Sequence, residues 1–337
     1  MQLNYKSIAL PFEYPFTISN GRTKTHQPSL VVSLSLGNFT GFGEAPAIVY
    51  YDVTVEKMIE DLESKRAMVE KFALTEPARY WHYLHHLFPQ NPFLVSALDM
   101  ACWDLYGKMK GQPLYTLWNT NWENTPVTDY TIGIDTIPKM LEKMNAKPWP
   151  VYKIKLGTPE DIEIMEALTT ATKAVFRVDA NAGWTIEEAL AKIPLLAKMG
   201  VEFIEQPLAK DNWEGMKILY EKSELPLYAD ESCVMESDVQ KCAGYFHGIN
   251  IKLTKCSGPT PALRMIETAR GLGLKVMMGS MNESTIGSAA IAHFLPQLDH
   301  VDMDGPLLLS EDIATGITFD NGVVTLTNKP GLGITLL

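Results

Sequence analysis

Five charged residues stand at the carboxyl ends of five short apolar runs: Lys155 in VYKIKL, Asp179 in AVFRVDAN, Glu205 in VEFIEQP, Asp230 in LPLYADES and Lys252 in GINIKL. They recur at near-even intervals, about the length of one strand–helix unit in a (β/α)8 barrel, which places its chemistry at the carboxyl ends of its strands. Asp179, Glu205 and Asp230 fall on three consecutive predicted strands, so their side chains can converge. Carboxylates that close repel one another unless a cation lies between them. An oxygen-only ligand set suits a hard ion, Mg²⁺, with Mn²⁺ as a substitute. The plainer reading is that each acid caps the helix that follows it. That reading serves for one acid. It serves poorly for three on neighbouring strands flanked by lysines.

Lys153 and Lys155 are two apart, so on a strand they share a face, while Tyr152, Ile154 and Leu156 face the helices. Two ammonium groups inside a barrel are costly without an anionic partner. Lys252 lies four strands further on, at the opposite wall. A carbon held between Lys155 and Lys252 has one amine on each face, the minimum for inverting a stereocentre. A lysine base near neutral pH needs its pKa lowered by about 3 units from the free value of ~10.4, or ~4 kcal/mol. A nearby cation and Lys153 are the expected source of that shift. The cation would also take the substrate carboxylate and the charge that develops on it.

These residues need a scaffold. Residues 127–132, 151–156, 174–179, 201–205, 226–230, 248–253, 274–279 and 299–304 read as strands. The first seven are followed by helical patterns, such as Ile186–Met199 after Thr185 and Thr260–Leu272 before Gly273. The predicted fold class is α/β, with a parallel barrel over 121–309. Residues 1–120 read as a separate α+β unit. It has strands near Leu3–Leu10 and Leu30–Leu36, a turn at Gly41-Phe42-Gly43-Glu44, and helices over Val53–Phe72, Pro77–Leu87 and Val95–Lys108. The tail, 310–337, is turn-rich and β-like and is expected to leave the barrel and complete that first unit.

Composition narrows the function classes. The net charge is −11 and no basic run occurs, which argues against nucleic-acid binding. No apolar stretch approaches a membrane span, and the amino terminus lacks a signal-peptide layout. Four cysteines, at 102, 233, 242 and 256, match no zinc or disulfide spacing. A cytoplasmic protein with reduced thiols, without membrane partners and forming a homo-oligomer, is the expectation. His82 and His86 are spaced for chelation on a helix, but the aromatic surroundings favour a packing role.

Lys153-x-Lys155, Asp179-Ala180-Asn181, Glu205-Gln206-Pro207, Ala229-Asp230-Glu231-Ser232 and Lys252 together resemble the muconate-lactonising-enzyme subgroup of the enolase superfamily. Gly43-Glu44-Ala45-Pro46 and Lys329-Pro330-Gly331-Leu332-Gly333 extend the resemblance over the whole chain. It implies a capping domain on a modified (β/α)7β TIM-type barrel, Mg²⁺, and proton abstraction beside a carboxylate. Strand six carries Lys and strand seven no His, unlike the mandelate-racemase and acid-sugar-dehydratase subgroups.

Asp302 and Asp304 close strand eight, two apart and on one side, where they can receive an ammonium group. The pair resembles the feature by which dipeptide epimerases hold a free amino terminus. The implied substrate is a small dipeptide of Ala-Ala or Ala-Glu type, as in cell-wall peptide recycling. Its carboxylate would lie on the cation and Lys153, its α-carbon between Lys155 and Lys252, and its amine on Asp302 and Asp304. By the same resemblance, Arg22 faces a glutamate side chain, though its loop is one residue longer than the family pattern. Asn282, next to Met281, stands where an apolar residue is expected beside the first side chain. Both departures weigh against glutamate and leave Ala-Ala equally open. N-acylamino-acid racemase or succinylbenzoate synthase chemistry is the enzymatic alternative. A non-catalytic metal-dependent peptide-binding protein is the alternative of another class.

Overall fold

The computed structural model describes residues 1–17 and 23–337. The chain opens with a three-stranded antiparallel sheet, β1 (Gln2–Thr17), β2 (Thr23–Leu36) and β3 (Phe39–Pro46), in that order. Three helices cover it: α1 (Val55–Lys71), α2 (Pro77–Leu87) and α3 (Pro92–Lys110). Gly41 and Gly43, expected in a turn, lie within β3; the hairpin turn is at Gly37-Asn38. Both glycines face α3 so closely that a Cβ on Gly43 would sit 2.0 Å from the Ala97 carbonyl oxygen. Close packing, not chain reversal, requires them. Helix α3 also starts earlier than the apolar pattern suggests, because Asn91 caps it through Oδ1 and Pro92 takes the first position.

After the short helix α4 (Leu114–Leu117), strands and helices alternate. They are β4 (Tyr130–Ile132), α5 (Ile137–Ala146), β5 (Val151–Lys155), α6 (Asp161–Ala171), β6 (Val175–Asp179), α7 (Ile186–Lys198), β7 (Val201–Glu205), α8 (Trp213–Lys222), β8 (Leu227–Ala229), α9 (Glu236–Cys242), β9 (Gly248–Ile251), α10 (Pro259–Gly271), β10 (Lys275–Gly279), α11 (Thr285–Ala292) and β11 (His300–Asp302). The eight strands pair in sequence order, all parallel. A single bridge, Thr128 to Val301, closes the ring between its first and last strands. The architecture is an α/β barrel of the modified TIM type beneath an α+β cap.

The alternation follows from local chemistry. Tyr152, Ile154 and Leu156 join the apolar layer under the helices, and Lys153 and Lys155 take the opposite face. Thr185 and Glu188 form a reciprocal capping box that starts α7. After β11 only the one-turn α12 (Gly305–Leu308) follows. The tail then forms β12 (Ala314–Thr315), the hairpin β13 (Ile317–Asp320) and β14 (Val323–Leu326), and β15 (Thr335–Leu336). It touches both units. The hairpin lies against α11 and receives Thr128 N at Gly322 O, while Leu332 N donates to Asp104 of α3 at 2.8 Å. Gly331, at φ +71°, lets this turn press on Asp104, where any Cβ would be only 2.1 Å from Oδ1.

The cap is anchored to the barrel through two buried carboxylates. Glu44 of β3 accepts from Ser284 N, Ser284 Oγ and Gly287 N at the start of α11. Asp99 of α3 accepts from Thr260 N and Oγ1, both at 2.8 Å, at the start of α10. Each satisfies amide groups a helix leaves open at its amino end. No helix among the described residues is long and apolar enough to cross a membrane.

Candidate active site

Asp179 ends β6, Glu205 ends β7, and Asp230 follows β8, so their backbones are adjacent at the carboxyl mouth of the barrel. All three side chains are buried. The turn after each strand is built to aim them. Asn181 and Gln206 adopt left-handed backbone angles, φ 44° and 36°. Asn181 N donates to Asp179 Oδ1 at 2.9 Å. Gln206 folds back so that its Oε1 accepts from Asp230 N and Ser232 N. Non-glycine residues held in this region cost about 1–3 kcal/mol and cluster at functional sites.

The lysines converge on the acids. Lys155 Nζ is 2.6 Å from Asp179 Oδ2. Lys252 Nζ is 2.9 Å from Asp230 Oδ2. Lys153 Nζ reaches three carboxylates, at 2.6 Å from Asp302 Oδ2, 2.9 Å from Glu205 Oε2 and 3.2 Å from Asp179 Oδ2. In the strand order β5 and β9 are four apart, so Lys155 and Lys252 stand on opposite walls.

Two further groups escaped the sequence reading. Lys255 is buried, donates to the Asp230 main-chain oxygen at 2.6 Å and pairs with Asp230 Oδ1. Glu231 beside it is half-buried, with its Oε2 buried and unpartnered. The Lys252-x-x-Lys255 spacing and the Asp230-Glu231 pair were the available signals. Asn250, one turn of the pleat below Lys252, holds Glu205 Oε1 at 2.8 Å.

The electrostatics follow from burial and mutual charge. Burial works to raise Asp179, but Lys155 and Lys153 bring it down to about 2. Burial and then the Asp179 charge push Glu205 up. Burial, followed by Asp230 and Asp179, lifts Glu231 to about 8. Burial alone would lower Lys252, yet Asp230 outweighs it and holds the ammonium above its usual range. The lowering expected from the sequence rests on a cation beside the lysines, whereas here the acids pair with them. A cation that engaged Asp230 would weaken that hold.

Among the described residues no three His, Cys, Asp or Glu side chains already close round a point as a metal cage. The donor set nevertheless fits a hard divalent ion. Asp179, Glu205 and Asp230 offer carboxylate oxygens from neighbouring strands. Glu205 Oε2 is buried and, although near Lys153, accepts no well-aligned hydrogen bond.

The remaining predicted residues are distributed around this mouth. Asp302 ends β11 and is buried against Lys153. Asp304, also buried, accepts from Thr131 N at 2.6 Å, and burial together with Asp302 lifts it to about 7. Met281 and Asn282 are half-buried on the loop after β10, and Met281 packs on the apolar core of the cap. Glu283 on the same loop is buried, its carboxyl pushed to about 8 by burial and then by Glu44. From the cap, Tyr51 lines a cavity together with Val234 and Lys255, and burial, followed by Asp230 and Glu231, raises its phenol. Arg22 lies outside the described residues.

Fold and site together define a modified TIM-type barrel with buried acids and lysines gathered at one mouth. The family model "Enolase C-terminal domain-like" matches residues 137–337. The L-Ala-D/L-amino acid epimerase of Flavobacterium johnsoniae is 52% identical over 337 residues, covering 100% of both chains. A solved substrate complex of the L-Ala-D/L-Glu epimerase from Bacillus subtilis superposes with a TM-score of 0.93 at 29% identity, covering 99% of this chain and 98% of that one. A dipeptide epimerase from Enterococcus faecalis, solved with Mg and L-Leu-L-Tyr, gives 0.90 at 28% identity and 99% of each chain. The chain belongs to the enolase C-terminal domain-like family, alongside the dipeptide epimerases and muconate-lactonising enzymes of the enolase superfamily. It is an isomerase.

Proposed function

We propose that the protein is a Mg²⁺-dependent dipeptide epimerase that inverts the α-carbon of the C-terminal residue of a small dipeptide by proton transfer between two lysines. The observation that carries the reading is the placement of Lys155 and Lys252 on opposite walls of one buried mouth, each beside a different acid of the carboxylate set. The working unit is a barrel over 121–309 roofed by residues 1–120 together with 310–337.

In this reading Asp179, Glu205 and Asp230 hold the ion, with Mn²⁺ as a substitute. Once bound, it supplies positive charge that favours ionisation next to a carboxylate. Lys153 gives the substrate carboxylate a further cationic partner. One of Lys155 and Lys252, entering as the neutral amine, removes the α-proton. The other, entering as the ammonium, delivers a proton to the opposite face. The lysines, their protonation states now exchanged, are set to act in reverse on the opposite epimer, and proton exchange with solvent resets them for the first, so both stereoisomers are substrates. Asp302, with Asp304 behind it, takes the free amino group, which an N-acylated amino acid lacks. Met281 and Asn282 border the first side chain. The names of the similar epimerases favour an L-Ala first residue with a varied second one.

The experiment incubates Ala-Ala, Ala-Glu and an N-succinyl amino acid with the protein and Mg²⁺ in D₂O and follows the α-proton signal. Exchange with inversion of the dipeptides supports the reading. Exchange of the succinyl compound alone replaces it with the racemase alternative.

A further inference from the structure

The barrel interior beneath the site is charged where barrels ordinarily carry branched aliphatic side chains. Arg177, buried on β6, is paired in register with Lys153 on β5 and faces the same side. Its guanidinium spans the barrel to three other strand segments. It donates from Nη1 to Asp129 Oδ2 at 2.9 Å and to Val301 O at 3.1 Å. Nε donates to Glu202 Oε2 at 2.7 Å, and Nη2 lies 3.2 Å from His300 Nδ1. Arg177 Cζ sits 5.4 Å from the centre of the Phe203 ring, which clusters with buried Tyr228 and Met277.

Two facts give this network a purpose other than stability. A buried ion pair is, as a rule, no more stabilising than apolar side chains of the same volume. And the network lies at the weakest joint of the barrel. Among the described residues strand β11 has three ladder pairs with β10 but one backbone bridge, Thr128–Val301, on its other edge, helped by Met303 N donating to Thr128 Oγ1 and Thr131 N to Asp304 Oδ2. Arg177 grips His300 and Val301, the two residues before Asp302. Asp129, also buried with Oδ1 unpartnered, lies close enough to Lys153 and Asp302 for their charges to bear on it.

We propose that Arg177 and Asp129 form a positioning pair that fixes β11 across the barrel seam, and thereby sets where Asp302 and Lys153 present their charges to the substrate's ammonium and carboxylate groups. The inference rests on the dipeptide reading for its kinetic consequence but not for its geometry.

The test compares Arg177→Met, the charge-balanced double variant Arg177→Met with Asp129→Leu, and the isosteric Asp129→Asn. The single Arg177→Met change leaves a buried acid unpaired and melts early. The double variant regains most of the lost melting temperature, yet its KM for a free-amine dipeptide rises by ~10-fold or more while kcat stays within ~3-fold, the signature of a weakened charged contact. Asp129→Asn raises KM by a smaller factor, about 3-fold. A crystal structure of the double variant is expected to show Asp302 withdrawn from Lys153. Wild-type KM in a stable double variant, or Asp302 unmoved in its crystal structure, overturns the proposal. If the wild type turns over no free-amine dipeptide, the function reading fails, and the position of Asp302 still judges the pair.

Discussion

Lys155 and Asp179 face each other across the β5–β6 ladder, and their charged atoms meet at 2.6 Å. On the far wall Lys252 and Asp230 repeat the contact at 2.9 Å. Each prospective base is therefore tied to a prospective metal ligand, which couples proton transfer to the state of the carboxylates.

Removing either base should separate exchange from inversion. Lys155→Ala and Lys252→Ala are each expected to lose epimerisation by at least ~10³-fold, within the range for a positioned acid or base. Each should still exchange the α-proton of one stereoisomer, and the two variants should differ in which. Chiral chromatography together with deuterium incorporation measures both. Full inversion in either variant contradicts a two-base mechanism.

Cation removal should affect stability as well as rate. Glu205 is raised by burial and by Asp179, so the acids strain against one another. Mg²⁺ at ~100 times its dissociation constant should stabilise the fold by about 2.7 kcal/mol. Chelator should abolish that gain, and Glu205→Gln should nearly eliminate it. Thermal melts with and without Mg²⁺ provide the readout, with no substrate needed.

Asp302 and Asp304 should differ in weight. Asp302 faces Lys153, whereas Asp304 spends Oδ2 on Thr131 N. Asp302→Asn is expected to raise KM for a free-amine dipeptide by ~10- to 100-fold, the loss of one charged hydrogen bond. Asp304→Asn should cost less in binding and more in melting temperature. Steady-state kinetics of the two variants, side by side, decide the order.

His293 should make the fold acid-sensitive. It ends α11 fully buried and stacked on Tyr115, and burial pulls its pKa down to about 4. The sign follows from linkage. Between pH 6.5 and about 4 the unfolded chain takes a proton that the folded one refuses, so stability is intact above pH 6.5 and falls as pH drops through that window. The full loss is on the order of 3 kcal/mol, at 1.36 kcal/mol per pKa unit. In melts from pH 7 to 4.5, His293→Gln should be less stable at neutral pH and should lose the steepest part of the decline. Parallel wild-type and variant curves would refute it.

Much of the site was legible because strand chemistry is local. A charge at the end of an apolar run marks a strand terminus, and alternation on VYKIK assigns Lys153 and Lys155 to one face whatever the neighbours are. The glycines of Gly41-Phe42-Gly43 misled for the opposite reason. Glycine signals either a turn or a close approach, and only the Ala97 carbonyl, more than fifty residues away in the chain, says which. Lys255 was missed because its spacing from Lys252 alone does not separate it from a surface lysine; its partner, Asp230, follows β8, in a different strand–helix unit.

Sequence by itself determined the strand ends, the order of acids and lysines along the chain, and the face each side chain takes, because these depend on backbone periodicity and the burial preference of single residues. Tertiary structure alone decided which carboxylate each lysine meets, that Glu44 and Asp99 tie the cap to two helix termini, and that a buried guanidinium spans the barrel seam. Those contacts join residues tens to hundreds of positions apart, and pairwise charge interactions in a low-dielectric interior depend on distances that no local pattern encodes.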